Sequence, residues 1–274
     1  MLQNWRNFFE HNTSVIKTTY QIKSKFLQRS VDVDIYVPEN LLGNEIVNLL
    51  LVNDGQDLAQ MEIEQSLSSL YTKWKIEPII VVGIKANEER LLEYGVAHRP
   101  DFKNRGSKAH LHTSFVINEL LPFVQKETKV NINGKKAFAG FSLGGLTAFD
   151  VAWHNSAVFD LVGVFSGSFW WRKKDLSDGY TDNDRILHEM VRETTSKPDL
   201  KFWLMTGTDD EKADRNQNFI IDSIDDTIDV VKELVNKGYQ RPSEVFYYEM
   251  VGGKHDVPTW GKAFPKFLEW AFGK

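Results

Sequence analysis

Ala137-Phe138-Ala139-Gly140-Phe141-Ser142-Leu143-Gly144-Gly145 is the stretch on which the fold turns. It opens as an apolar, strand-like run, passes through Gly140-x-Ser142-x-Gly144, and leads at once into the helical run Leu146–Trp153. Serines between glycines are common in loops; set between a strand and a helix, they mark a nucleophile at a sharp turn. The flanking glycines suit that geometry, because neighbouring chain must pass close to a serine held in a strained conformation. The Leu143 N–H would then open a helix and point to where an oxyanion forms. The plainer reading is a helix N-cap serine after a glycine turn, and the strand before and helix after favour the nucleophile.

Working outward, short apolar runs alternate with helical patterns. Val31–Val37 alternates as a half-buried strand, whereas Ile46–Val52 and Pro78–Ile84 are nearly continuous apolar runs, as strands covered on both faces should be. Lys136–Phe141, Leu161–Phe165, Leu200–Met205 and Val245–Met250 continue the series. Helices are expected near Ala59–Trp74, Lys108–Glu127, Leu143–His154, Asp184–Thr194, Asp222–Lys237 and Trp260–Phe272. This alternation predicts a mostly parallel sheet flanked by helices on both faces, built as a single domain over residues 1–274. Two irregular stretches, Ala86–Gly106 and Trp171–Asp184, are long enough to be functional loops.

Composition narrows the chemistry. With 33 basic and 38 acidic residues, a formal charge of −5 and the signs interspersed, there is no footprint for nucleic acid. The absence of cysteine removes disulfides, thiolate metal sites and cysteine nucleophiles. No run approaches the roughly 18 apolar residues of a membrane span, and MLQNWRNFFEHNTS lacks the pattern of a secretory leader. A soluble, cytoplasmic protein is expected; the Asn12-Thr13-Ser14 sequon is of a kind that arises by chance.

A serine hydroxyl needs a base to take its proton. Among the seven histidines, only His255 falls after the last expected strand and before the last helix, in the flexible run Gly252-Gly253-Lys254-His255-Asp256. His110 and His112, two residues apart, do not share a helix face, and no third ligand is spaced for a metal, so no metal is expected. The acid belongs just past the strand between serine and histidine, where Asp209, Asp210 and Glu211 stand together. Asp210 is preferred, with Asp209 next, because the rotation of the loop decides which carboxylate faces His255. After Ile46–Val52 the turn Asn53-Asp54-Gly55-Gln56 offers the Gln56 N–H as a second oxyanion donor beside that of Leu143. Ser168-Phe169-Trp170-Trp171 follows a core strand at the same edge; one tryptophan is expected inward and the other at the cleft, with Arg172-Lys173-Lys174 beside them.

Together these pieces resemble the esterase D-like branch of the α/β-hydrolase fold, which includes siderophore (ferric-enterobactin, trilactone) esterases, feruloyl and acetyl-xylan esterases, and mycolyltransferases. Asn53–Gln56 resembles that branch's oxyanion loop, Arg90-Leu91-Leu92-Glu93-Tyr94 its R-x-x-E-Y element, and Gly140–Gly145 its nucleophile turn. Phe165–Trp171 is similar to the S-G-S-F-W-W run of siderophore esterases, and Gly253–Trp260 to their G-x-H-x-x-x-x-W histidine loop. The resemblance implies Asp210 as the acid, through Gly207-Thr208-x-Asp, and Arg90, Trp170 and Trp171 as substrate-binding residues. It also implies the single-domain version of the family rather than the larger one with an extra N-terminal domain.

The expected activity is cofactor-free hydrolysis of a small-molecule carboxylic ester through an acyl-enzyme on Ser142, with a siderophore trilactone as the favoured substrate. The competing expectations are a carbohydrate (feruloyl or acetyl) esterase or an acyltransferase on the same triad, and a non-catalytic binding module on the hydrolase fold.

Overall fold

The computed structural model of the protein describes residues 14–39, 41 and 45–274. The leader reading of the first residues, and Asn12 and Thr13 of the sequon, lie outside them. Eight strands form one sheet: β1 (Val15–Ser24), β2 (Arg29–Pro38), β3 (Asn48–Asn53), β4 (Ile79–Ile84), β5 (Lys136–Phe141), β6 (Leu161–Phe165), β7 (Lys201–Asp209) and β8 (Val245–Lys254). Their order is β1-β2-β4-β3-β5-β6-β7-β8, antiparallel at β1–β2 and β2–β4 and parallel from β4 onward.

Period-2 alternation divides the core between the faces. Leu49, Leu51, Phe138, Val162 and Leu204 point one way, and Leu50, Val52, Ala139, Phe165 and Trp203 the other. The second face is covered by α1 (Ile63–Thr72) and α8 (Val257–Phe272). The first is covered by α3 (Ala109–Phe115) with its continuation α4 (Leu121–Thr128), and by α5 (Leu143–His154), α6 (Ile186–Glu193) and α7 (Asp222–Asn236). A short α2 (Arg90–Glu93) lies in the loop after β4. The expected helix over Lys108–Glu127 contains a π segment, Val116–Leu120, just ahead of Pro122, whose missing N–H interrupts the helical ladder.

Two expectations needed extension. Strand β1 was not foreseen: Val15–Ser24 is an edge strand wet over most of its length, so Lys and Thr replace the apolar alternation that signals a strand. Strands β7 and β8 run past Met205 and Met250 to Asp209 and Lys254, which carries Asp210 and His255 to one edge. The two long loops are fastened down. The first is held by the Gly95 N–H on Thr147 Oγ1 (2.8 Å) and the Ala97 N–H on Asp150 Oδ2 (3.0 Å), both on α5. The second closes with an isolated bridge between Arg172 and Arg185. Among the described residues, no helix is long and apolar enough to cross a membrane.

Candidate active site

Ser142 is the residue between the end of β5 and the start of α5, with φ 53° and ψ −121°. That conformation is rare for a residue with a side chain, and here it is locked: the Ser142 N–H donates to the Phe165 carbonyl (2.9 Å), and the Ser142 carbonyl accepts from Gly145 and Leu146. The glycines do what the turn requires. A Cβ on Gly140 would stand 2.4 Å from the Gly144 carbonyl carbon, and one on Gly144 would stand 2.4 Å from Asp54 Oδ2. Leu143, as the first residue of α5, has an N–H without an intrahelical acceptor. The Ser142 hydroxyl meets Ser168 Oγ at 3.3 Å.

The carboxyl ends of β3, β4, β5, β6, β7 and β8 bring Gln56, Arg90, Ser142, Ser166, Asp210 and His255 to one edge, where open α/β sheets bind ligands. A Cβ on Gly207 would come within 2.2 Å of the Gly253 carbonyl oxygen, so the strands leading to Asp210 and His255 close up only because position 207 is glycine. Of the three adjacent acids, Asp210 alone approaches the imidazole, with Oδ1 4.0 Å from His255 Nδ1 and its side chain wholly buried. Asp209 is exposed, and Glu211 lies beside the Ser223 N–H. At 4.0 Å the contact is electrostatic rather than a hydrogen bond, the looser spacing common before substrate tightens a site.

Burial pushes the Asp210 carboxyl above its ordinary range, opposed by the Ser166 hydroxyl, the Gly207 backbone and the His255 charge. Burial also lowers the His255 imidazole, opposed by the Asp210 charge and helped by Arg90. Both shifts favour neutral groups, and the imidazole is thereby kept in its base form at neutral pH. Immediately after His255, Asp256 caps α8 by accepting the Thr259 N–H at 2.9 Å, which fixes where the histidine leaves the strand.

The loop after β3 is held as firmly. Asp54 adopts a left-handed conformation (φ 58°), and its carboxylate takes Arg90 Nε and Nη2 at 2.7 and 2.8 Å. The Arg90 guanidinium also lies over the Tyr94 ring at 5.3 Å, while the Tyr94 hydroxyl accepts the Asp54 N–H at 3.3 Å. Hydrogen bonds of the next turn run from Asp57 and Leu58, leaving the Gln56 N–H outside it. Asn53 donates to the Gly144 carbonyl (3.0 Å) and through Oδ1 meets His112 Nε2 (3.1 Å). Since the Asn53 amide nitrogen is spent on Gly144, the His112 Nε2 is the donor. Burial drops that imidazole to about 3, so it is neutral.

Three sequence expectations change. Arg90 stands at this edge, but two of its nitrogens are committed to Asp54, which makes it first a clamp on the loop after β3. Trp171, for which the resemblance implied substrate binding, is wholly buried: its ring packs against Gly95 and Gly106, and its Nε1 donates to the Arg99 carbonyl at 3.2 Å. Trp170 is only partly buried, with Arg105 over its ring at 4.9 Å. The Arg172-Lys173-Lys174 run is largely neutralised, because Lys173 pairs with Glu189 and Lys174 with Asp184 (3.3 Å). Ser166, which donates to Asp210 Oδ1 at 2.9 Å, was not singled out in the sequence; its signals there were its place directly after β6 and its membership of the Phe165–Trp171 run. Among the described residues, no group of three or more His, Asp or Glu side chains is gathered to hold a metal.

Residues 24–271 match the family model described as "Putative esterase". An uncharacterized protein of Bacillus subtilis (strain 168), YbbA, is 24% identical over 229 residues, spanning 81% of this chain and 84% of its own. The enterobactin esterase FES from Shigella flexneri, solved in the presence of enterobactin, superposes with a TM-score of 0.71 at 22% identity; the match covers 93% of this chain and 58% of that protein's length. A ferulic acid esterase gives the same TM-score, 0.71, at 18% identity over 94% of this chain and 98% of its own. At these identities the structural likeness establishes the fold, that of the α/β hydrolases.

Proposed function

The chain belongs to the family described as "Putative esterase", and from that membership we propose that it hydrolyses a carboxylic ester through an acyl-enzyme on Ser142. The observation that carries the reading is the strained Ser142 at the strand-to-helix turn, on the same sheet edge as the Asp210–His255 pair. Strain of this kind persists only where surrounding structure holds it, and it clusters at active sites.

In this reading Ser142 Oγ attacks the ester carbonyl carbon while His255 Nε2 accepts its proton. Asp210 faces Nδ1 and stabilises the imidazolium that forms. The N–H groups of Leu143 and Gln56 hold the negative oxygen of the tetrahedral intermediate. Its collapse expels the alcohol with the proton from His255. Water then attacks the acyl-enzyme by the same route and frees the acid.

For the substrate, we propose an ester bearing aromatic rings, of the siderophore trilactone class. The Phe165–Trp171 run supports it, as does the partly buried Trp170, an aromatic ring with one face under the Arg105 guanidinium, which Asp101 holds in place. The test is kcat/KM for a trilactone against feruloyl and acetylated sugar esters and p-nitrophenyl acetate, in wild type and Ser142→Ala. The highest value for a sugar ester would move the substrate class, and turnover in Ser142→Ala would remove the serine mechanism. Transfer to added alcohols in preference to water would make the protein an acyltransferase.

A further inference from the structure

Three elements meet at the Ser166 hydroxyl: the end of β6, the loop after β7 and the first turn of α8. Trp260 Nε1 lies 2.9 Å from Ser166 Oγ, and Ser166 Oγ lies 2.9 Å from Asp210 Oδ1. The direction of both bonds is fixed by chemistry. An indole N–H only donates, so the serine oxygen is its acceptor, and the serine's own proton is left for the carboxylate. Ser166, Asp210 and Trp260 are 2%, 7% and 7% exposed, so water does not compete for these bonds. The Trp260 ring also meets the His255 imidazole edge to face, with centroids 5.3 Å apart and planes at 79°. Trp260 thus touches the base with its ring and reaches the acid through Ser166.

The backbone at Ser166 adds a second observation. Its φ is 48°, a region that favours glycine, and its N–H is tied to the Met205 carbonyl at 2.7 Å. A side chain stands where its absence would suit the backbone better, and its hydroxyl is spent on the acid. We propose that Ser166, backed by Trp260, is a positioning residue for the acid–base pair: it pins Asp210 by Oδ1 and favours the ionised carboxylate in a buried place. The proposal rests on the serine-esterase reading above. The pair is faced by Asp256 and Arg90 from the flanking segments, and by Glu211 and Tyr247 near the carboxylate.

Ser166→Gly accepts the backbone conformation and removes the hydroxymethyl side chain that carries the bond. A hydrogen bond to a charged acceptor is worth about a tenfold effect or more, so kcat should fall by about that factor with KM unchanged. The carboxylate, having lost a donor, binds a proton more readily and opposes the lowering of His255 less, so the acid limb of kcat/KM should move to lower pH, in the same direction as in Asp210→Asn. Trp260→Phe keeps a ring beside His255 but loses the N–H, and should produce a smaller loss in the same direction. The double variant should be no slower than Ser166→Gly alone, because Trp260 acts through Ser166. A Ser166→Gly enzyme with kcat within about twofold of wild type, an unmoved acid limb, or additive losses in the double variant would each overturn the assignment. Ser142→Ala, assayed alongside, separates the two ideas. If it is inactive while Ser166→Gly is normal, only the positioning role fails; if it still turns over, the serine reading itself fails.

Discussion

Replacing Asp54 by Asn should loosen the oxyanion loop and leave a charge stranded. In the native protein the Asp54 carboxylate is 3% exposed and holds two nitrogens of Arg90, itself 29% exposed, at 2.7 and 2.8 Å. Asparagine tolerates the left-handed backbone at this position (φ 58°), so the turn itself survives. One charge-assisted bond is lost and the guanidinium has no counter-charge. Removing one partner of a fully buried pair costs about 3–5 kcal/mol. Water reaching Arg90 recovers part of that, which leaves a loss of about 2 kcal/mol. For a domain of this size the melting temperature should fall by about 4–8 °C. A misplaced Gln56 N–H should also lower kcat by about tenfold to a hundredfold, less than the complete loss of an oxyanion donor. The assays are thermal unfolding by circular dichroism and turnover of a p-nitrophenyl ester. Removing both charges, in Asp54→Asn with Arg90→Met, should restore part of the melting temperature without restoring kcat. An Asp54→Asn protein that melts with the wild type and keeps kcat within about twofold would refute the clamp.

Asp210→Asn should cost up to roughly 10⁴ in kcat through loss of the oriented imidazole, whereas Asp209→Asn should be near neutral, since Asp209 is exposed; the reverse ranking would reassign the acid. Burial lowers the His255 imidazole, so kcat/KM should fall on the acid side with a midpoint below the ordinary value of about 6.5. Asp210→Asn, by removing the charge that opposes this shift, should move that midpoint lower still, and a midpoint above the ordinary value would contradict the electrostatics. Trp170→Ala should raise KM for an aromatic ester more than for an acetate, with little loss of stability. Trp171→Ala should instead destabilise by about 3–5 kcal/mol, as emptying a buried tryptophan site does; equal melting curves for the two variants would contradict the difference in burial.

The strand-to-helix turn at Ser142 and the sheet beneath it were legible because local chemistry dictates them: only small residues let chain cross at Gly140 and Gly144, and strands covered on both faces read as apolar runs. The place of His255 at the same edge, between β8 and α8, followed from its order along the chain. What escaped depends on partners far away in sequence. Lys173 and Lys174 read as a cationic patch until α6 supplies Glu189 and the end of the second long loop supplies Asp184. The link from Trp260 to Ser166 spans 94 residues and has no local signature. Choosing between Asp209 and Asp210 required the rotation of one loop residue past the end of β7. The edge strand β1 hid behind its lysines and threonines, because only its second half turns a face, through Tyr20 and Ile22, to the core, and the hydropathy pattern is correspondingly short.

The central claim is that Ser142 is the nucleophile, and it is tested most directly by mass spectrometry of the protein after reaction with an organophosphonate, with turnover of a p-nitrophenyl ester followed in parallel. The account predicts one covalent adduct, mapped to the peptide containing Ser142, with turnover lost in step with labelling and neither seen in Ser142→Ala. Ester turnover that continues after labelling, an adduct on a different residue, or a Ser142→Ala protein with activity within about tenfold of wild type would contradict it, since losing a triad nucleophile costs about 10⁴–10⁶ in rate.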